Sequence, residues 1–382
     1  MNRAEGLVAY FGHNCNDAAV RRRAVACRRA GFQVLGFMHH RGPPGDVPFE
    51  MVNLGETADN AYRKRVQAIF EGARLACDHA EALHAADVIL ARNLDMLATA
   101  VRVKTQLGLS APLVFECLDI HKQLTGGGWK AVVLEALEAR LLKKTALVAV
   151  SSPRFESEHF RQRHPGRYRH VLIENRLIEG DAFGDRPTAP RPAVLGRLRI
   201  GWFGNLRCRR SLDLLKSVAT AYPDQVEIVL RGYPALSEIP DLDGEIAPHP
   251  NITYYGRYRA PDDLESIYAG VDLIWAGDWY ETGANSVWLL PNRIYEGGYF
   301  TTPALAPAGT ETANWLDRHG AGLIIPDPVA TELPKVVGAL LEDPAPLLAC
   351  QERLLALPRD TFVEPPELMH HVVDAARACQ GS

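Results

Sequence analysis

Nowhere does this chain hold an apolar run long enough to span a membrane. Its opening Met1-Asn2-Arg3 passes straight into Leu7-Val8-Ala9-Tyr10-Phe11, too short for the core of a secretory signal. No two cysteines are spaced C-x-x-C: the seven, an odd number, lie scattered at 15, 27, 77, 117, 208, 350 and 379. They read as reduced cytosolic thiols to which no metal is assigned, and a cytoplasmic chain, soluble or peripheral on the cytoplasmic face of the membrane, is expected. Net basic charge is missing as well. The formal balance is −4, so nothing draws the whole protein toward nucleic acid. The turn after the first strand-like run, Gly12-His13-Asn14-Cys15-Asn16, lacks the G-x-G-x-x-G of a dinucleotide binder, which removes the main support for a nicotinamide cofactor.

What is present suits a two-domain α/β protein. A chain of 382 residues outgrows one core, and 47% apolar with 23% charged residues is ordinary for a folded soluble protein. Leu7 to Phe11 reads as strand, Ala18 to Ala30 as a helix capped by Asp17, and Gly31 to Phe37 as the next strand, a β-α-β unit that opens a parallel sheet. Further strands are expected at Asp87 to Ala91, Ala111 to His121, Ala146 to Ser151 and Val171 to Asn175, with helices from Ala61 to Leu83 and Trp129 to Lys144. Gly180 to Leu198, with Pro187, Pro190 and Pro192, reads as an interdomain linker. Arg199 to Gly204 starts a second α/β domain, with strands at Val226 to Gly232, Ile252 to Gly256, Val271 to Trp275 and Leu323 to Ile325, and a last helix from Glu367 to Gln380. The expected organisation is a first domain over 1–182, a linker over 183–198, a second domain over 199–365 and a terminal helix over 366–382.

The most informative stretch runs from Leu289 to Ala306. Pro291 suits the first position of a helix, which leaves the amides of Asn292 and Arg293 as orphan donors. Unpaired N–H groups, the positive end of the helix dipole and the Arg293 charge together attract an anion such as a phosphate. Glu296 lies one turn deeper on the same face, where a carboxylate can accept from the vicinal hydroxyls of a ribose. Gly297 and Gly298 keep the helix slim for close backbone approach, and Pro303 to Ala306 reads as a buried parallel strand. The unit is a cradle for a nucleoside diphosphate.

The run from Glu296 to Ala306 resembles the E-A-x-A-x-G-x-P-V-x-A segment of group 1 glycosyltransferases, although Trp288 stands where many members carry a further Glu. The resemblance implies a GT-B architecture, two Rossmann-like parallel-sheet domains facing a central cleft, with the terminal helix crossing back to the first domain. It implies a nucleoside-diphosphate sugar as donor, no cofactor and no metal, and Glu296 on the donor ribose. The implied acceptor is a glycan, in particular a lipid-linked oligosaccharide of bacterial surface or exopolysaccharide synthesis. Gly204-Asn205-Leu206-Arg207-Cys208-Arg209-Arg210 resembles the family's G-R-L-x-x-x-K loop, whose Arg and Lys contact the diphosphate. Arg210 falls on the Lys and Asn205 on the Arg, with Arg207 and Arg209 close by. A His at the end of the Ala111 to His121 strand contacts the donor sugar in the resembling family.

Alternation along that strand puts Asp119 and His121 on one face, with Glu116 nearby. With retention of configuration the leaving phosphate can draw the acceptor proton itself; with inversion Asp119 would serve as general base. A sugar-nucleotide epimerase of the same fold and a non-catalytic nucleotide-binding subunit remain open alternatives. The loops that follow strands offer Gly232 and Arg257 to the donor, and Asp278 and Glu281 to donor or acceptor sugar. Asn16 or Asp17 can face a ligand, Asp17 serving equally well as a simple helix cap. Arg21, Arg22, Arg23, Arg28 and Arg29 form either a solvated face or a seat for anionic lipid, and the Trp129 to Lys144 helix either packs on the core, the favoured reading, or lies on a membrane.

Overall fold

The computed structural model describes residues 6–57, 62–120, 124, 126, 128–180, 183–192, 194–281 and 283–380. It divides into two compact units, one of Met1–Glu174, Ile178–Gly180 and Glu364–Ser382, the other of Asn175–Leu177 and Asp181–Val363.

The first unit holds a sheet of seven strands: β1 (Leu7–Gly12), β2 (Gln33–His40), β3 (Glu50–Glu56), β4 (Val88–Arg92), β5 (Leu113–Cys117), β6 (Leu147–Val150) and β7 (His170–Leu172). Their order is β3-β2-β1-β4-β5-β6-β7, and every pairing is parallel. Parallel strands need crossovers, which α1 (Ala18–Arg29), α2 (Tyr62–Cys77), α3 (Asn93–Leu107) and α4 (Trp129–Leu142) supply. Asp17 caps α1, accepting from the amides of Ala19 at 2.8 Å and Val20 at 3.1 Å. Because helices cover the sheet, β1, β4 and β5 read as nearly unbroken buried apolar runs. Strand β3 has only one buried residue, so its weak apolar pattern carries no strand signal in the sequence.

The second unit repeats the plan with β8 (Leu198–Leu206), β9 (Val226–Pro234), β10 (Ile252–Tyr254), β11 (Leu273–Trp275), β12 (Ala304–Pro307) and β13 (Gly322–Ile325), all parallel in the order β10-β9-β8-β11-β12-β13. Strand alternation sorts its apolar residues into two cores. Ile200, Trp202, Leu273, Trp275 and Leu305 face one side under α5 (Arg209–Ala221) and α8 (Val329–Glu342). Phe203, Ile274, Ala304 and Ala306 face the other under α6 (Asn292–Tyr299) and α7 (Glu311–His319). Helix α9 (Glu367–Ala378) packs Met369, Val372, Val373 and Ala376 into the core of the first unit.

Two expectations need correction. The strand expected to reach His121 ends at Cys117, and Asp119 lies beyond it in a bend, so strand alternation no longer fixes where Asp119 points. His121 lies outside the described residues. The segment read as a linker is pinned to the second unit: Arg186 donates to the Leu357 carbonyl at 2.8 Å, and Arg191 donates to the Tyr268 carbonyl at 2.8 Å and to the Thr302 hydroxyl at 2.7 Å.

Candidate active site

In the second sheet the chain builds outward on both sides of β8, toward β9 on one side and β11 on the other, and such a switch point opens a crevice at the strands' carboxyl ends. Arg207 follows β8, and Asp278 follows β11; the guanidinium meets the carboxylate at 2.9 Å. Helix α5 starts in the same place. Its cap is Cys208, whose sulfur accepts from the amides of Ser211 at 3.3 Å and Trp279 at 3.2 Å, while the Ser211 hydroxyl donates to the Gly277 carbonyl at 3.0 Å. The helix start is thereby tied to the chain leaving β11. Arg210 lies over the Trp279 ring at 4.2 Å, and Arg293 of α6 donates to the Trp275 carbonyl at 3.1 Å. Three guanidiniums, two from the junction of β8 with α5 and one from α6, thus converge on the segment from Trp275 to Trp279, beside the positive end of a 13-residue helix. Arg209 points elsewhere, pairing with Glu245 and donating to the Glu238 carbonyl at 2.9 Å.

Backbone also lines this edge. Gly204 and Gly232 are register partners with φ of 108° and 127°, and a Cβ on Gly232 would sit 1.8 Å from the Gly204 carbonyl oxygen. Next to them the side-chain oxygen of Asn205 is buried without a hydrogen-bond partner among the described residues, a polar atom that a ligand can satisfy. Arg257 lies over the exposed Tyr233 ring at 5.4 Å and Arg231 over the exposed Tyr255 ring at 5.6 Å, forming an aromatic and cationic rim. Asp278 and Glu281, expected on a sugar, are engaged within the protein. The second oxygen of Asp278 accepts from the Tyr280 amide at 2.8 Å, and Glu281 accepts from the Asn285 amide group.

The helix of the cradle is α6, and it starts one residue later than expected. Pro291 is its cap, with ψ of 146°, and Asn292 its first residue. Glu296 is 3% exposed, and one of its oxygens accepts from the Tyr268 hydroxyl at 2.7 Å. Burial, with the Glu296 charge beside it, pushes that hydroxyl well above its usual range, so it remains a donor. Gly297 and Gly298 are slim for the sake of packing. A Cβ on either would run into Ile274 or Phe362 at 2.2 or 2.4 Å.

In the first unit the corresponding switch point lies between β1 and β4. Here Nδ1 of His13 and Nη1 of Arg92 are buried with no hydrogen-bond partner among the described residues, and Asn93 takes the left-handed conformation at φ 68°. Burial, helped by the Arg92 charge, lowers the His13 imidazole to about 4. These residues were missed in the sequence because a switch point is a property of strand order. Asn16 and Asp17, expected to face a ligand, are structural. Asn16 donates to the carbonyls of Arg41 at 3.1 Å and Pro43 at 3.0 Å, and Asp17 caps α1. Glu116, grouped with Asp119 and His121 in the sequence, is the centre of a buried ion network. It accepts from Arg23 at 2.7 Å, Arg92 at 2.9 Å and the Tyr10 hydroxyl at 3.2 Å, and Arg23 also reaches Glu364 at 2.6 Å. The first helix is therefore not a uniformly solvated basic face. Helix α4 buries Ala131, Leu141 and Leu142 as expected of core packing, while its start exposes Trp129 (73%), Val132 (66%) and Val133 (57%).

Comparison with known proteins adds three findings. The chain is 38% identical over 339 residues to the succinoglycan biosynthesis protein ExoL of Rhizobium meliloti (strain 1021), across 87% of this chain and 84% of that protein. Its fold resembles Anabaena HepE, solved in complex with UDP and glucose, at a TM-score of 0.71 and 15% identity, across 98% of this chain and 100% of that one. It likewise resembles sucrose-phosphate synthase from Thermosynechococcus elongatus at a TM-score of 0.72 and 15% identity, with the same coverage. No family model matches the sequence.

Proposed function

Since the chain belongs to the group 1 glycosyltransferases of GT-B fold that serve exopolysaccharide synthesis, we propose that it takes a nucleoside-diphosphate sugar and transfers the sugar, with retention, to a lipid-linked glycan. The single observation that carries this reading is the convergence of Arg207, Arg210 and Arg293 on the segment leaving β11, at the start of α5. Breaking the anomeric bond leaves a second negative charge on the terminal phosphate of the departing nucleoside diphosphate, and donors already in place stabilise it without reorganising. That HepE was solved with UDP and glucose supports the choice of donor. Glu296, set by the Tyr268 hydroxyl, is the acid assigned to the ribose.

Retention is supported by chemistry that asks no base of the protein. The departing phosphate is itself a base beside the acceptor hydroxyl and can draw its proton. The acceptor is assigned to the crevice between β1 and β4, where the bare Nδ1 of His13 and Nη1 of Arg92 offer an acceptor and a donor to sugar hydroxyls. Among the described residues no helix is long and apolar enough to cross a membrane. The exposed Trp129, Val132 and Val133, with Lys130 and Arg140 on the same helix, support a peripheral seat of α4 on an anionic lipid surface.

The test is a transfer assay with a panel of sugar nucleotides and a lipid-diphosphate glycan, with the product's anomeric configuration read by NMR. Nucleoside diphosphate release that requires acceptor, and a product matching the donor's configuration, is expected. An inverted product would overturn retention, and turnover of donor to an epimer without acceptor would overturn transfer.

A further inference from the structure

Away from the two crevices, Glu138 of α4 meets two histidines from the chain after β6. Nε2 of His159 and Nε2 of His164 lie 2.7 and 2.8 Å from the same Glu138 oxygen, Oε2. All three side chains are no more than 1% exposed. In an α-helix residues five apart point about 140° away from each other. Here Glu156–Phe160 forms a π-helical turn, whose wider winding, with His164 leaving the helix at φ −130°, brings both rings to one carboxylate.

We propose that Glu138, His159 and His164 form a structural zinc site that staples α4 to this segment. The three candidate ligand atoms lie within 4.8 Å of one another, and small side-chain rotations bring them to the separation of about 3.3–3.6 Å that bonds of about 2.0–2.2 Å to a tetrahedral ion require. Two imidazoles and a carboxylate suit zinc among the available divalent ions, with the fourth position left to a water, and the enclosure of all three side chains leaves holding α4 to this segment as the role of the ion. A carboxylate enclosed this deeply needs compensation, which a divalent cation supplies. The cysteines, to which no metal was assigned, take no part, so the expectation of a metal-free chain changes only here.

The full-length protein, freed of metal with a chelator, is titrated with zinc and, separately, cobalt. Binding of about one equivalent, the visible absorption of tetrahedral cobalt and a higher melting temperature with zinc are expected. Glu138→Gln keeps the volume and should weaken binding at least about tenfold, a loss that metal-site substitutions typically cause. His164→Asn serves as a second variant if the first fails to fold. If wild-type protein retains neither ion and melts at the same temperature in chelator and in zinc, the cluster is held by hydrogen bonds alone and the proposal fails.

Discussion

Replacing Glu116 by Gln removes the one carboxylate shared by Arg23 and Arg92 in the middle of the first sheet. Burial alone would raise its carboxyl, yet the two guanidiniums and their hydrogen bonds outweigh burial and bring it from 4.5 to about 2. At about 1.36 kcal/mol per pH unit that difference is worth roughly 3 kcal/mol. The sign follows from the depressed folded value: the stabilisation is fully present above pH 4.5 and is lost as pH falls toward 2. Glu116→Gln should therefore cost about 3–5 kcal/mol at neutral pH, because two buried cations lose a partner. Since the chain has two units, a local readout is needed. Hydrogen exchange of peptides covering β1, β4 and β5 should accelerate roughly a hundredfold or more, while peptides of β8 to β13 stay unchanged. The reasoning is refuted if exchange in the first sheet rises by no more than about threefold.

Other consequences are as direct. Burial of neutral His13 lowers its imidazole from 6.5 to about 4, so its stabilisation is complete above pH 6.5 and fades as pH falls toward 4; His13→Gln should flatten that part of a melting-temperature profile. Gly232→Ala, with φ at 127° and the Gly204 carbonyl in the way, should cost about 1–3 kcal/mol in thermal denaturation, and an unchanged midpoint would contradict the close approach of the strands. Tyr268→Phe leaves a Glu296 oxygen without its donor and should raise KM for the sugar nucleotide more than it lowers kcat. Substituting Trp129, Val132 and Val133 together by Ser should abolish co-sedimentation with anionic vesicles while sparing transfer to a short soluble acceptor.

Much of the fold was readable because buried parallel strands such as β1 and β5 are apolar runs between helices, a pattern local in sequence. Edge strand β3 buries one residue and left no such trace. The overshoot to His121 came from Leu118 and Ile120, whose alternation mimics a strand after the pairing with β6 has ended at Cys117. Helix α4 spreads Lys130, Glu135, Glu138 and Arg140 around its circumference among apolar residues, so composition could not tell which face is covered. Arg210 and Arg207 were legible as candidate cations, since they follow a strand and open a helix. Which arginine turns toward the crevice was not, because Glu245 captures Arg209 from 36 residues away. The Arg23 and Glu364 pair, 341 residues apart, and the meeting of Glu138 with two histidines are likewise products of tertiary structure.

Calorimetric titration of nucleoside diphosphates into the wild-type protein and into Arg210→Ala and Arg293→Ala probes the cationic crevice of the second unit. Wild-type protein should bind at least one nucleoside diphosphate. Each variant should bind it about tenfold to a hundredfold more weakly, the loss of one charge-assisted contact of roughly 1.5–3 kcal/mol. Equal affinity in all three proteins, or no binding by the wild type, would contradict the assignment of the diphosphate to these arginines.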